Sequence, residues 1–326
     1  MSPLAQATTA PHPRWKHTPQ GLRFNVLMGA ILVVLVPADF VLARAVHFTN
    51  SGQSLQVWTT ALFLGAILAY CRWRPLPRLI EACELAIWAD LYFDALSVLI
   101  QIAGRSHRPL VDRQLAAMDA RLHFATAAWV HFAAGVPALR IALALVYAIE
   151  PILLLAALVV VPFMGRADAA RRYVFGIVIA ASITAVAFAL WPAAGPWTTE
   201  GYRATRDQRQ VTAYLALLKS HAPVGLNMDD AGIVAFPSFH VLLAVLSAVA
   251  LGSLRKLRWP VWILAALIVV STLTTGWHYL TDVMGGLALA AITLAAASLV
   301  LPETEPAAAL LQSSIKISDH PTEEYP

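Results

Sequence analysis

The chain has 326 residues, 59% of them hydrophobic and only 13% charged. A soluble domain carries about 25% charged residues, and the mean hydropathy of +0.66 agrees, so a water-soluble globule is excluded. The net charge of +4 invites a nucleic-acid partner, but the 23 Lys and Arg are scattered between apolar stretches and form no patch, which excludes that partner. Cys71 and Cys83 flank one short basic loop with neither a disulfide framework nor metal-ligand spacing. They read as free thiols near the cytoplasmic surface, and no metal or cofactor is expected.

A helix needs about 20 mostly apolar residues to cross the hydrocarbon core. The Pro-rich N-terminus through residue 23 and the polar tail from 302 are expected to be disordered. Between them the apolar stretches predict about eight spans, near 24–44, 55–71, 83–103, 138–164, 172–193, 238–254, 259–277 and 280–301. The fold class is therefore all-α, a polytopic transmembrane helix bundle. The first span is too long for a signal-peptide core and is read as retained. Segment 104–137, with Met118 to Phe132 mixing aromatic, apolar and basic residues, suits either a helix lying in the interface or a connector packed on the bundle.

Alternate connections carry tight basic clusters: Arg14, Lys16 and Arg23, then Arg72, Arg74 and Arg78, then Arg166, Arg171 and Arg172, then Arg255, Lys256 and Arg258. By the positive-inside rule these connections and both termini are cytoplasmic; if 83–103, which contains Glu84, Asp90 and Asp94, does not cross, the N-terminus flips and the later spans keep their orientation. The long connections 104–137 and 194–237 then fall on the extracytoplasmic side of an inner or plasma membrane.

Two stretches stand apart from the apolar background, Phe236-Pro237-Ser238-Phe239-His240 and Gly276-Trp277-His278-Tyr279-Leu280-Thr281-Asp282. The interval from His240 to His278 holds one span down, a basic turn and one span back, so both histidines end at the same membrane face. Ionisable groups at the head of a membrane helix are costly unless paired or wet, and so read as functional. His278 and Asp282, four residues apart, share a helical face where the carboxylate can hold one ring nitrogen and free the other as nucleophile or base. His240 follows Pro237 and Ser238 at a helix start, where unpaired N–H groups favour an anion such as phosphate. Together these suit phosphoryl transfer through a covalent phosphohistidine.

The pair FPSFH and GWHYLTD resembles the second and third signatures of the type 2 phosphatidic acid phosphatase superfamily, whose phosphate site is shared with vanadium haloperoxidases. Phe239 before the histidine and the His-Tyr-x-x-Asp form are more similar to the branch that holds inositol phosphorylceramide synthases and their bacterial relatives. Met118 to Trp129 and Trp191 to Pro196 are similar to that branch too. The resemblance implies an N-terminal set of spans (24–137) followed by a six-helix phosphatase-like core (138–301). It further implies His278 as nucleophile, Asp282 as its orienting partner, His240 as general acid, Ser238 on the phosphoryl oxygens, and membrane lipids as partners. Activity on a lipid phosphate by hydrolysis is one implied outcome. Transfer of a phospho-headgroup to give inositol-phosphate sphingolipid-like products is the other.

Departures from that pattern fall on the cations. Thr272 stands where the family has the Arg of its third signature, and the first signature is not intact in 194–236. Lys219 and Arg209 are the phosphate-binding candidates in its place. Gln101 and Arg108-Pro109 match the first signature's spacing with Lys changed to Gln but lie two spans too early. A different class of function, a transporter using Glu84, Asp90 and Asp94 at mid-membrane, is the alternative. Buried, hydrogen-bonded structural roles are the plainer expectation for Asp90, Asp94, Asp39 and Glu150. His47, His107, His123, His131 and His221 have no evident partner in the sequence.

Overall fold

The computed structural model describes residues 18–49, 54–73, 76–225 and 232–302, without the side chains of 49, 54–58 and 61. In chain order these form α1 (Pro19–Ala45), β1 (Phe48–Thr49), α2 (Ser54–Trp73), α3 (Pro77–Gly104), α4 (Asp112–Arg121), α5 (Thr126–Gly135), α6 (Pro137–Ala148), α7 (Glu150–Phe163), α8 (Ala167–Leu190), α9 (Arg206–Lys219), β2 (Val224–Gly225), α10 (Phe239–Gly252), α11 (Arg258–Thr274) and α12 (Leu280–Val300). The all-α bundle is as expected. Five helical stretches, Pro19–Ala45, Pro77–Gly104, Pro137–Phe163, Ala167–Leu190 and Leu280–Val300, are long and apolar enough to cross a membrane, and shorter apolar helices lie at Leu62–Trp73, Phe239–Gly252 and Arg258–Thr274.

Local chemistry corrects several boundaries. α1 starts at Pro19 and not after residue 23, because the Thr18 hydroxyl accepts the Gly21 N–H at 3.0 Å and proline is suited to the first helical position. Residues 1–17 and 303–326, where the expected disordered ends fall, lie outside the described residues. The expected span 138–164 is interrupted at Ile149, which separates α6 from α7 just before Pro151. Segment 104–137 is two short helices with a break at 122–125, and α4 packs against α12 while α5 packs against α11. Those contacts fasten it to the bundle.

The interior is formed by α3, α7, α8, α10 and α12 around Tyr92, Leu96, Tyr173, Val178, Leu242 and Leu246. Large apolar side chains such as Leu62, Trp259 and Leu299 point outward, the pattern of a bundle whose solvent is lipid. One end of the bundle is tied by backbone and buried polar groups. β1 pairs with β2 in parallel, and Arg105, at the end of α3, donates to the carbonyls of Val46 (2.8 Å) and Ala222 (2.7 Å). The opposite end carries ion pairs: Arg171 with Asp168 and Glu81, and Arg72 with Glu84 at 2.8 Å. Cys71 and Cys83 are buried free thiols.

α4 is the fastening of greatest consequence. The Asp119 carboxylate accepts the N–H groups of Leu280 (2.7 Å) and Thr281 (2.9 Å) and the Thr281 hydroxyl, so a residue 161 positions upstream caps the first turn of α12. Seven residues earlier on the same helix, Asp112 accepts the N–H groups of Ala194 (3.0 Å) and Gly195 (2.8 Å). A carboxylate at a helix N-terminus satisfies orphan donors and complements the dipole.

Replacing Asp119 by Ala is expected to lower stability by at least the ~1–2 kcal/mol of a lost helix cap, with Asp119→Asn intermediate because one acceptor oxygen remains. Thermal unfolding of the detergent-solubilised protein checks this, and an Asp119→Ala midpoint equal to wild type would refute it. Gly286 lets α12 approach α10, since a Cβ there would lie 2.4 Å from the Ser238 carbonyl oxygen. Gly286→Val is expected to cost about 1–3 kcal/mol by overpacking, read in the same assay.

Candidate active site

Ser238 is the N-cap of α10. Its hydroxyl accepts the Val241 N–H at 3.4 Å, and its own N–H donates to the Asp282 carbonyl at 3.0 Å. The two sequence stretches therefore meet backbone to backbone. His240, in the first turn of α10, turns toward the α6–α7 break. Its Nδ1 lies 3.4 Å from the Tyr147 hydroxyl and its Nε2 3.3 Å from Glu150 Oε2, and the Tyr147 ring stacks on the imidazole at 4.5 Å.

His278 is carried by the turn between α11 and α12. Gly276 makes that turn at φ +74°, in the left-handed region that glycine enters without strain. Its carbonyl accepts from the Tyr202 hydroxyl (2.7 Å) and Gln208 Nε2 (3.0 Å). The Thr272 carbonyl accepts the N–H groups of Trp277 (3.1 Å) and His278 (3.3 Å). Thr272 thus supports through its backbone the turn that carries His278, at the position where the family pattern has an arginine.

The expectation that Asp282 holds His278 is modified by the geometry. His278 Nδ1 lies 3.0 Å from the Ala235 carbonyl and 3.5 Å from Asp282 Oδ2. A carbonyl only accepts, so Nδ1 carries the proton and Nε2 keeps its lone pair. Asp282 Oδ2 accepts the Tyr279 N–H at 2.9 Å, while Oδ1 is buried with no partner among the described residues. Burial holds the His278 imidazole down to about 4, against the lifting effect of the Ala235 hydrogen bond. The ring is then neutral at ordinary pH. The two imidazole centroids are 5.8 Å apart.

The structure thus brings together Ser238, His240, His278 and Asp282. It gives the two cationic candidates other partners. The Lys219 ammonium donates to the carbonyls of Ser106 (3.0 Å) and Arg108 (2.9 Å), and burial lowers its pKa. Arg209 is exposed and donates to the Ala204 carbonyl at 2.6 Å. Gln101, in the upstream stretch that lies two spans too early for the first signature, is fully buried and accepts the Tyr214 hydroxyl. That stretch and Lys219 meet through α9. His107 and His221 stack on each other at 4.3 Å.

Glu150 and Tyr147 are the site neighbours that sequence reasoning missed. A carboxylate within an apolar stretch is a functional signal in itself, and Tyr147 three residues earlier shares its helical face. Nothing in the sequence showed that this face meets α10. The expected hydrogen-bonded role of the buried carboxylates also needs correction. Both oxygens of Asp39 and one each of Asp90 and Glu150 have no partner among the described residues, and nothing in the structure explains Asp39. Glu84 pairs with Arg72.

Neither the curated proteins nor the solved structures contain a match to this chain. Residues 113–296 match the PAP2 superfamily, a range that starts in α4 and takes in Asp119, Glu150, Ser238, His240, His278 and Asp282. With more than half of its length in that match, the chain belongs to the PAP2 superfamily of membrane-associated phosphoric ester hydrolases.

Proposed function

We propose that this protein is an integral-membrane enzyme that takes a phosphoryl group from a lipid phosphate through a phosphohistidine on His278, at the extracytoplasmic face and without a metal ion. What supports the reading most is the pair of imidazoles at the head of α10 and α12, one with a free Nε2 and the other against a carboxylate. The orientation rests on the basic connections, which lie at the end away from the histidines.

His278 Nε2 attacks phosphorus, forming the P–N bond as the ester P–O bond breaks, and the leaving alkoxide takes a proton from His240. The Glu150 carboxyl stands 3.3 Å from His240 Nε2, where it can share that proton. Ser238 and the first N–H groups of α10 face the phosphoryl oxygens. An incoming hydroxyl then attacks the phosphohistidine. The P–N bond breaks, and the hydroxyl proton returns to His240. Water as acceptor makes the protein a phosphatase; a lipid hydroxyl makes it a transferase, as in the inositol phosphorylceramide synthase-like branch.

His278→Ala is expected to abolish turnover and the acid-labile phosphoprotein, with vanadate inhibiting the wild type. Full turnover by His278→Ala on a lipid phosphate, with no vanadate inhibition of the wild type, would sink the proposal. His240→Ala should lose 10²–10⁴-fold on an alkyl phosphate but far less on p-nitrophenyl phosphate, whose leaving group needs no proton. Equal losses on both substrates would remove His240 from the acid role.

A further inference from the structure

α3, α7, α8 and α10 do not close on one another near His240. They leave a cavity of about 520 Å³, within the range of about 300–1,000 Å³ that encloses a small organic ligand. Its walls are apolar, with Leu96, Leu154, Ile177 and Leu243 among them, and they run along α3 from Ala89 to Ile100, a distance of about 16 Å at the helical rise. Such a volume spread over such a length has the shape of one hydrocarbon chain. Phe93, on the wall, is 61% exposed on the outer surface of α3, so the cavity opens sideways toward lipid.

The polar end is Glu150 with His240. They are the carboxyl and the imidazole of the lining, among the described residues. The Glu150 side chain is 5% exposed, its Oε2 faces His240 at 3.3 Å, and its Oε1 is buried with no hydrogen-bond partner among the described residues. An unpartnered buried carboxylate oxygen at the end of an apolar channel is a costly arrangement unless something donates to it. A water-filled channel would be polar along its length, whereas most of this lining is apolar.

We propose that this cavity is a binding site for a long-chain primary alcohol, whose hydroxyl donates to Glu150 Oε1 and whose chain lies between α3, α7, α8 and α10. The proposal deepens the phosphoryl-transfer reading of the same site and rests on it for its consequence, because the bound hydroxyl oxygen is delivered beside His240. Attack by that oxygen forms the new O–P bond as the P–N bond to His278 breaks, and the hydroxyl proton goes to His240. The product is the alkyl phosphate.

Photolabelling tests the site without turnover. A hexadecanol carrying a mid-chain diazirine is compared with its methyl ether in the detergent-solubilised full chain, and the adducts are mapped by mass spectrometry. The alcohol is expected to label peptides of α3, α7, α8 and α10 about tenfold more strongly than the ether, the ratio that ~1.4 kcal/mol gives and that one hydrogen bond can supply. Glu150→Met should erase the difference between the probes, and Ala181→Phe, on the cavity wall, should reduce labelling by both. Equal labelling by the two wild-type samples, or adducts spread over the lipid-facing surfaces of α1 and α11, would overturn the proposal. Labelling as expected in a protein that shows no phosphohistidine would refute the phosphoryl-transfer reading and leave the cavity assignment standing. Hydrolysis with no alcohol-specific labelling would do the reverse.

Discussion

The head of α12 is held by hydrogen bonds that reach to α4 and to the cap of α10, and the candidate site depends on that. Leu280 and Thr281 donate to Asp119 on α4, Tyr279 donates to Asp282, and the Asp282 carbonyl receives the Ser238 N–H. Each bond satisfies a group that a helix start leaves open, and each fixes one catalytic candidate relative to another. Ser238 and Asp282 are joined through backbone, His278 lies one turn before Asp282, and His240 is the second residue of the helix that Ser238 caps. Removing water from such an end makes every unmade bond expensive. The same chemistry that closes α12 therefore also sets the 5.8 Å between the imidazoles.

Much of this arrangement is legible in the sequence because it is local or periodic. Apolar length locates the helices, basic turns mark one end, and the i,i+4 spacing of His278 and Asp282 puts them on one face. The meeting of His240 and His278 follows from counting one span down and one back. Legibility fails where a partner comes from a distant segment. Asp112 and Asp119 look like ordinary polar residues of a connector, and only the folded chain shows them on the backbone of Ala194, Gly195, Leu280 and Thr281. Glu150 announces itself as a carboxylate in an apolar stretch, but its address opposite His240 depends on the break at Ile149 and on how α7 packs against α10. Lys219 illustrates the converse. Its position in the loop suggests an anion, yet the nearest acceptors are the carbonyls of Ser106 and Arg108.

Two histidine–carboxylate pairs result, and they differ in kind. The His278–Asp282 pair is sealed, its imidazole turned by the Ala235 carbonyl so that Nε2 keeps its lone pair. The His240–Glu150 pair stands beside a cavity, with its imidazole about a third exposed. A sealed pair is suited to hold a nucleophile in one tautomer. An open pair is suited to exchange protons with whatever arrives or departs.

The shortness of α10 has a consequence for how any lipid reaches the site. Its 14 residues rise about 21 Å, while the hydrocarbon slab is about 30 Å thick. With the basic turn after α10 at one surface, His240 falls short of the other by several ångströms. In the proposed phosphoryl transfer, a phosphate group is therefore drawn below the level of its neighbours' headgroups before it meets His278. The depth of that descent is set by the bilayer as much as by the protein, so the proposal makes membrane thickness part of the activation barrier.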